Sequence, residues 1–379
     1  MNPVPSSRRV LLAGGGSGGH VFPALALGDE LAARGWRVDF VGAADGMEAR
    51  LVGGRGLPFH PLPARPLVGR GALDRLRALL TLVASTRVAR RLVRGLGVAV
   101  VVGTGGYVSA PAVLGAALAR VPALLVEPNA VPGLANRWLS RWAAGAATAF
   151  PGTGDSLACP ATLTGVPVRA AFAAVGEPPA QGPTRLLVAG GSQGAEQLNR
   201  LLPEALGLLA SRGADALPAL SVVHQAGAGK EEATRERYAA AGLATDGASS
   251  PAPGRPEVSV VGFLEAMPQA VGEAHLVVSR AGAITTAELC AAGRPALLVP
   301  LTLAGGHQLA NARALEEAGA AAVLPSADLT AGELADALGG LLADRGRLAA
   351  MATAARAFGR PRAAAAIADR VEALAEVRS

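Results

Sequence analysis

RVLLAGGGSGGH (residues 9–20) and RLLVAGGSQGA (residues 185–195) open the two halves of this chain in the same way. In each, an apolar strand ends at an alanine, Ala13 or Ala189, and runs through glycines into a helix start. That order aims backbone N–H groups and the positive end of a helix dipole at an anion. One such loop is common. A pair, one per half, predicts an α/β protein of two Rossmann-like domains with parallel sheets facing a central cleft.

Outward from these loops, short apolar runs alternate with helical patterns, the mark of parallel α/β sheets. The first half reads as strands near 10–13, 38–41, 98–102, 123–126, 146–150 and 161–164, with helices near 20–34, 74–94, 109–120 and 132–142. The second half reads as strands near 186–189, 220–224, 258–261, 276–278 and 296–299. Its helices start near Ala195, Lys230, Glu265, Ala283 and Gly306. The stretch GVPVRAAFAAVGEPPAQGP turns loop-like, which predicts a first domain over 1–165, a linker over 166–183 and a second domain over 184–358. The Ala/Arg-rich tail reads as helix from Leu334, broken at Pro361, and its last helix (359–379) could cross back onto the first domain.

The composition, 51% hydrophobic and 17% charged over 379 residues, is that of a globular chain with room for two cores. Cys159 and Cys290 lie far apart without ligand spacing, so neither a disulfide framework nor a metal site is expected. The net charge is +6, but Lys230 is the only lysine, and the arginine excess reads as compositional bias. Aromatics at 3% are too sparse for a base-stacking nucleic-acid surface. MNPVPSSRR leads straight into the first strand, so no secretory leader is expected. Residues 98–119 carry no formal charge, yet Gly103, Gly105, Gly106 and Pro111 divide them into a strand, a loop and a short helix rather than a membrane span. Any membrane contact is therefore expected to be peripheral. Residues 65–95 place eight arginines among Leu and Val at helical spacing. That pattern suits an anionic bilayer surface, and equally a domain helix with a solvated Arg face.

Gly14, Gly16 and Gly19 satisfy G-x-G-x-x-G, and Asp39 follows at the distance of a ribose-binding acid. Asp39, however, precedes Phe40-Val41-Gly42 and reads as lying within its strand. His20 occupies the first helical turn, where dinucleotide loops carry small residues. Beside a helix N-terminus its cation is disfavoured, so the imidazole is expected to be neutral, as a general base for a hydroxyl requires. A capping or structural histidine is the plainer reading. In the second half, the N–H groups of Ala283, Ile284, Thr285 and Thr286 can cradle a diphosphate, and Glu288 can accept two ribose hydroxyls. Thr285 and Glu288 also fit a capping box. Gln308 and Asn311 would put two amides on one helix face, suited to sugar hydroxyls.

Taken together, GGGSGGHVFPALAL, ADGMEARLV, GTGGYVSAP, EPNAVPGLANRWL, TGVPVR, GGSQGA, HQAG, SRAGAITTAEL and GGHQLANA resemble the MurG family of peptidoglycan glycosyltransferases, in order and over nearly the whole chain. The resemblance implies a GT-B fold. It implies transfer of N-acetylglucosamine from UDP-N-acetylglucosamine to undecaprenyl-diphospho-muramoyl-pentapeptide, lipid I to lipid II, without metal or cofactor. The place of work it implies is the cytoplasmic face of the cell membrane, as a peripheral protein on an anionic surface. Donor contacts are implied at Ser17, Gly18, Gly19, Asn129, Arg169, Ser192 and Leu264. A cradle for diphosphate and ribose is implied over Ala283, Ile284, Thr285, Thr286, Ala287 and Glu288, with Gln308 on the sugar. His20 matches the family's base, and Gly105, Gly106 and Tyr107 match the place of the acceptor diphosphate.

This chain departs from the family pattern at four places. Val126 stands for a His, Val166 for an Asn, Glu196 for a common Arg and Ala281 for a frequent Ser. Three other readings stay open: an NAD(P)-dependent oxidoreductase built on the first loop and Asp39, a non-catalytic sugar-nucleotide- or lipid-binding module, and another GT-B transferase, such as one making glycolipids.

Overall fold

Valine, leucine and alanine runs bounded by glycine make strands buried on both faces, and such strands assemble in parallel. The computed structural model describes residues 8–16, 18–63, 72–191, 193–213, 217–247, 252–301 and 306–377, with side chains in the helix at 72–95 from Arg77 onward. The chain divides into two units: unit 1 is Met1–Arg169 with Arg360–Ser379, and unit 2 is Ala170–Gly359.

Unit 1 begins with β1 (Arg9–Gly14), α1 (Gly18–Ala33), β2 (Arg37–Gly42), α2 (Met47–Gly53), β3 (Phe59–Pro61) and α3 (Ala72–Gly95). It continues with β4 (Val100–Gly105), α4 (Ser109–Ala119), β5 (Ala123–Glu127), α5 (Leu134–Leu139), β6 (Gly145–Thr148) and β7 (Ala161–Leu163). Unit 2 begins with α6 (Ala170–Ala173), β8 (Thr184–Ala189), α7 (Glu196–Ser211), β9 (Leu220–Gln225), α8 (Glu231–Ala240), β10 (Glu257–Val261) and α9 (Met267–Glu273). Then follow β11 (Leu276–Ser279), α10 (Ala283–Ala291), β12 (Ala296–Leu298), α11 (His307–Glu317), β13 (Ala321–Val323), α12 (Ala331–Ala343) and α13 (Arg345–Phe358). The last helix, α14 (Ala363–Glu376), belongs to unit 1.

Both sheets are parallel, ordered β3-β2-β1-β4-β5-β6-β7 and β10-β9-β8-β11-β12-β13. The strand order reverses between β1 and β4 in the first and between β8 and β11 in the second. At such a reversal the loops leave toward opposite faces, and a crevice opens at the carboxyl ends of the strands. Both glycine-rich loops lie there, after β1 and after β8.

One core of unit 1 joins Leu11, Val101 and Leu125 of the sheet to Ala89, Ala112 and Ala116 of α3 and α4. Small residues bring these two helices close: a Cβ on Gly115 would lie 2.8 Å from that of Ala89. In unit 2, Leu198, Leu202 and Leu206 of α7 and Leu334 and Leu338 of α12 pack on Leu186, Val188 and Val222. The C-terminal helix α14 packs on α1, where Arg34 pairs with Glu30 (2.8 Å), Asp369 (2.6 Å) and Glu372 (3.1 Å). Trp36 Nε1 donates to Glu372 at 3.2 Å.

Several elements differ from expectation. The strands β3 (FHP) and β13 (AAV) lie outside the expected set: a His and a Pro leave no apolar run in the first, and the second continues the alanine-rich text that follows α11. The helix α2 is also hidden, with glycines at both ends of about two turns. The tail breaks at Asp344 as well as near Pro361, because the Asp344 carboxylate accepts the Arg347 N–H (2.8 Å) and starts a new helix. The expected linker is not all loop: α6 interrupts it, with Phe172 fully buried, and Val166 is buried too.

Replacing Gly115 with Val should force α3 and α4 apart and cost about 1–3 kcal/mol, the usual range for overpacking. All three tryptophans, Trp36, Trp138 and Trp142, lie in unit 1, so their emission reports its melting alone. The expected outcome is a Trp-monitored Tm several degrees lower; an unchanged melt would disprove the close helix pair.

Candidate active site

In unit 1 the glycine loop after β1 meets the loop after β4. Ser109 Oγ donates to the Ala13 carbonyl (2.8 Å) and accepts the Gly105 N–H (3.1 Å), which ties the two strand ends together. Gly105 and Gly106 both have positive φ, and a Cβ on either would overlap neighbours, the His20 ring for Gly105 and the Gly15 carbonyl for Gly106. No other residue fits there. Tyr107 lies over Gly16, 3.0 Å from where that residue's Cβ would be.

His20 sits under this lid in the first turn of α1. Its Nδ1 lies 2.9 Å from the Thr104 carbonyl oxygen. A carbonyl only accepts, so Nδ1 carries the proton and Nε2 keeps a free lone pair. The His20 pKa is lowered from its ordinary value, chiefly by burial. The direction agrees with the neutral imidazole expected from sequence, and burial is its leading cause. The Thr104 carbonyl and the charge of Glu127 pull the other way.

Glu127, at the end of β5, is 1% exposed. Its Oε1 accepts the backbone N–H and the Nδ2 of Asn129 (3.0 and 3.1 Å). Its Oε2 accepts the Gly133 N–H (3.0 Å) and the Asn136 Nδ2 (2.9 Å). Four donors around one buried carboxylate fold the EPNAVPGLAN segment into a single shape and orient the Asn129 amide. Val126 is buried within the same strand.

The dinucleotide reading of this unit does not survive. Asp39 lies inside β2, 5% exposed, held by His60 Nε2 (2.8 Å) and Arg9 Nε (3.4 Å). The Gly16 N–H, which would face a phosphate, is already accepted by the Glu48 carboxylate at 3.2 Å.

Unit 2 has the opposite character at its switch point. The loop after β8 packs backbone to backbone on the HQAG turn after β9, where a Cβ on Gly194 would overlap the Ala226 carbonyl. Behind it lies a buried polar chain. Asn199 Nδ2 donates to the Ala226 carbonyl (2.8 Å), and its Oδ1 accepts His224 Nε2 (3.1 Å). His224 Nδ1 accepts the Tyr238 hydroxyl at 2.9 Å. Full burial holds His224 neutral, with its pKa pulled down to about 3.

After β11 the chain turns into α10 at Gly282, an N-cap without a side-chain acceptor. The first-turn N–H groups of Ala283, Ile284 and Thr285 therefore point along the helix axis beside the loop after β8. The Thr285–Glu288 capping box does not form, because Thr285 sits one turn inside the cap; Thr286 Oγ1 donates back to the Gly282 and Ala283 carbonyls. Glu288 is half-buried one turn further on. Arg280, just before the cap, bonds Gln197 Oε1 and the Val299 carbonyl, both at 3.0 Å. Burial lowers its pKa. A half-buried guanidinium with neutral partners, beside first-turn N–H groups that no side chain caps, suits an anion.

Gln308 Oε1 accepts the Leu301 N–H (2.9 Å), which leaves its NH2 free to donate. Asn311 is fully buried and its Nδ2 donates to the Ala281 carbonyl (3.2 Å), so it braces the turn and does not read sugar hydroxyls. Leu264 lines a cavity of about 410 Å³ with Leu187, Val223 and Ala270 beside α9. Glu196, where an Arg was expected, pairs with Arg237 at 2.8 Å. Arg169 is exposed at the end of the first stretch of unit 1. Ser17 and Ser192 lie outside the described residues, as do residues 65–71 of the basic segment. Sequence reasoning missed Glu48, Glu127 and Arg280, although each lies inside a motif it singled out.

Two parallel sheets, each with a glycine-built loop at its switch point, define a protein of two Rossmann-like units. The family model described as the glycosyltransferase family 28 N-terminal domain matches residues 10–148, and that of its C-terminal domain matches residues 185–367. The chain belongs to glycosyltransferase family 28, and its fold is GT-B. It is 43% identical over 366 residues to a Sorangium cellulosum protein named UDP-N-acetylglucosamine–N-acetylmuramyl-(pentapeptide) pyrophosphoryl-undecaprenol N-acetylglucosamine transferase, covering 95% of this chain and 86% of that one. A Pseudomonas fluorescens protein of the same name is 44% identical, over 93% of this chain and 94% of its own. The crystal structure of Acinetobacter baumannii MurG matches with a TM-score of 0.80 at 34% identity, covering 96% of this chain and 99% of that one.

The neutral His224 makes stability depend on acid. Its folded pKa, about 3, is below the ordinary 6.5, so between these values the unfolded chain binds a proton that the folded chain excludes. The stability contributed by a neutral His224 should be fully present above pH 6.5 and fall by about 1.4 kcal/mol per pH unit from there toward 3. His224→Phe should remove about one proton's worth of that slope, as read by calorimetry across pH. An equal slope in the variant would mean that other groups set the acid limit.

Proposed function

We propose that this chain transfers N-acetylglucosamine from UDP-N-acetylglucosamine to the 4-hydroxyl of undecaprenyl-diphospho-muramoyl-pentapeptide, in a single inverting displacement. The observation that carries the reading is Arg280 with only neutral partners beside the uncapped N-terminus of α10, an arrangement suited to a departing diphosphate. The substrate pair is supported by relatives at 43% and 44% identity whose names state it.

In this mechanism His20 Nε2 takes the proton of the acceptor hydroxyl while Nδ1–H stays on Thr104. The freed oxygen attacks the anomeric carbon, and the bond from that carbon to the β-phosphate oxygen breaks on the opposite face. Charge gathering on UDP is stabilised by the N–H groups of Ala283, Ile284 and Thr285 and by Arg280, preorganised groups of the kind that supply the largest share of rate. Arg169, Ser192 and Thr286 are assigned to the same anion, Ala287 and Glu288 to the ribose side and Leu264 to the uracil. The Gln308 NH2 and the Asn129 amide, oriented by Glu127, serve the donor sugar, with Ser17, Gly18 and Gly19 alongside. Gly105, Gly106 and Tyr107 receive the acceptor.

Radiolabel transfer from UDP-N-acetylglucosamine to a muramoyl lipid acceptor tests the reaction directly. His20→Ala should lose about 10²–10⁴-fold in kcat, the usual contribution of a general base. The dissociation constant for UDP should not change. Parental turnover in the variant would remove His20 from the mechanism, and no transfer by the parent protein would remove the function.

The lipid acceptor calls for a membrane-facing surface, and α3 is the candidate. Among the described residues no helix is long and apolar enough to cross a membrane. Leu79, Leu80 and Val83 are exposed in the first half of α3, and Arg87, Arg90, Arg91 and Arg94 in the second. Exposed Trp138 and Trp142, with ring centroids 4.6 Å apart, add an aromatic pair beside Arg137 and Arg141 at α5. At about 1 kcal/mol per basic residue near an anionic surface, reversing Arg87, Arg90 and Arg91 to Glu should weaken vesicle binding by at least about a hundred-fold. Undiminished binding to phosphatidylglycerol vesicles would rule out α3.

A further inference from the structure

We infer that Glu48 is a positioning residue for the transfer reaction, holding the glycine loop after β1 in the one shape that presents His20 to the acceptor; the inference rests on the reading of His20 as the base. Glu48 lies in the first turn of α2, in the ADGMEARLV segment, and is 1% exposed. Burying a carboxylate is costly unless several donors meet it, and one placed behind an active-site loop needs a reason.

The geometry supplies it. Glu48 Oε2 accepts the Gly16 N–H (3.2 Å) and Oε1 accepts the Ala43 N–H (2.9 Å), so one side chain pins the loops after β1 and after β2. Gly15, Gly42 and Gly46 close round it so tightly that a Cβ on any of them would overlap its side chain. Three glycines from three places thus form a cup shaped to one carboxylate. From the cup, force passes forward through few atoms: Gly16 touches the Tyr107 ring, the Gly15 carbonyl lies against Gly106, and Gly105 lies against the His20 ring. Moving the carboxylate moves the surface on which His20 and Tyr107 rest. Glu48 itself is sealed from solvent and does not touch substrate.

A carboxylate offers only acceptors, which is what two N–H groups from different loops require. Glu48→Gln keeps the volume but sets its NH2 against one of those N–H groups, so one of the two holds is lost. Gly46→Ala crowds the same carboxylate from the N-cap of α2, with its Cβ meeting Cδ and both oxygens, and leaves the loop after β1 and His20 unaltered in sequence. Both variants should lower kcat by about ten- to a hundred-fold, the scale of a misplacement near 1 Å. The UDP dissociation constant should stay within about two-fold, since Glu48 touches none of the groups assigned to UDP, and the Trp emission of unit 1 should stay native. His20→Ala is run beside them. If His20→Ala turns over normally, the base reading fails whatever Glu48 does. If His20→Ala is slow while both Glu48→Gln and Gly46→Ala keep parental kcat, the positioning role is wrong. A kcat loss that tracks unfolded Trp emission in both variants also overturns it, because Glu48 would then serve folding alone.

Discussion

Two adjacent parallel strands whose connections leave toward opposite faces cannot cover the ground between their own carboxyl ends. That constraint governs both units. It puts the loops after β1 and β4, and after β8 and β11, where backbone N–H groups and helix N-termini meet a ligand instead of a neighbouring strand. The glycines follow from it. Chains converging at one point come closer than a Cβ allows, as Gly106 does on the Gly15 carbonyl and Gly194 on that of Ala226.

One topology serves two electrostatic purposes. In unit 1 the converging loops are organised round buried carboxylates, Glu48 and Glu127, which absorb backbone and amide donors. A field of that sign tolerates a proton being gathered at His20. In unit 2 the corresponding place holds Arg280 and unclaimed N–H groups, a field that welcomes negative charge. The buried His224, kept neutral, adds no charge of its own and works through hydrogen bonds that brace the HQAG turn.

Strands of four or more apolar residues were legible because burial on both faces leaves a continuous run in the text. The three-residue β3 and β13 leave none, since sheet neighbours and not local composition select them. His20 stood out by its place after the glycines, yet the cause of its neutrality did not, because the residues that bury it come from a distant loop. Nothing in the text singles out Glu48 and Glu127, because the N–H groups that surround them come together only in the fold. Asn311 failed in the other direction: helical spacing placed it beside Gln308, but only the tertiary structure shows that it faces inward to Ala281. Spacing reports a face; it does not report what covers that face.

Unit 1 is assembled from both ends of the polypeptide, with α14 laid against α1 through Arg34, Trp36, Asp369 and Glu372. During synthesis, unit 2 therefore emerges whole before the first-made unit has its final support. A stop codon that removed α14 would spare unit 2 and strip the support from α1, so damage written at the tail of the gene would be felt at its head.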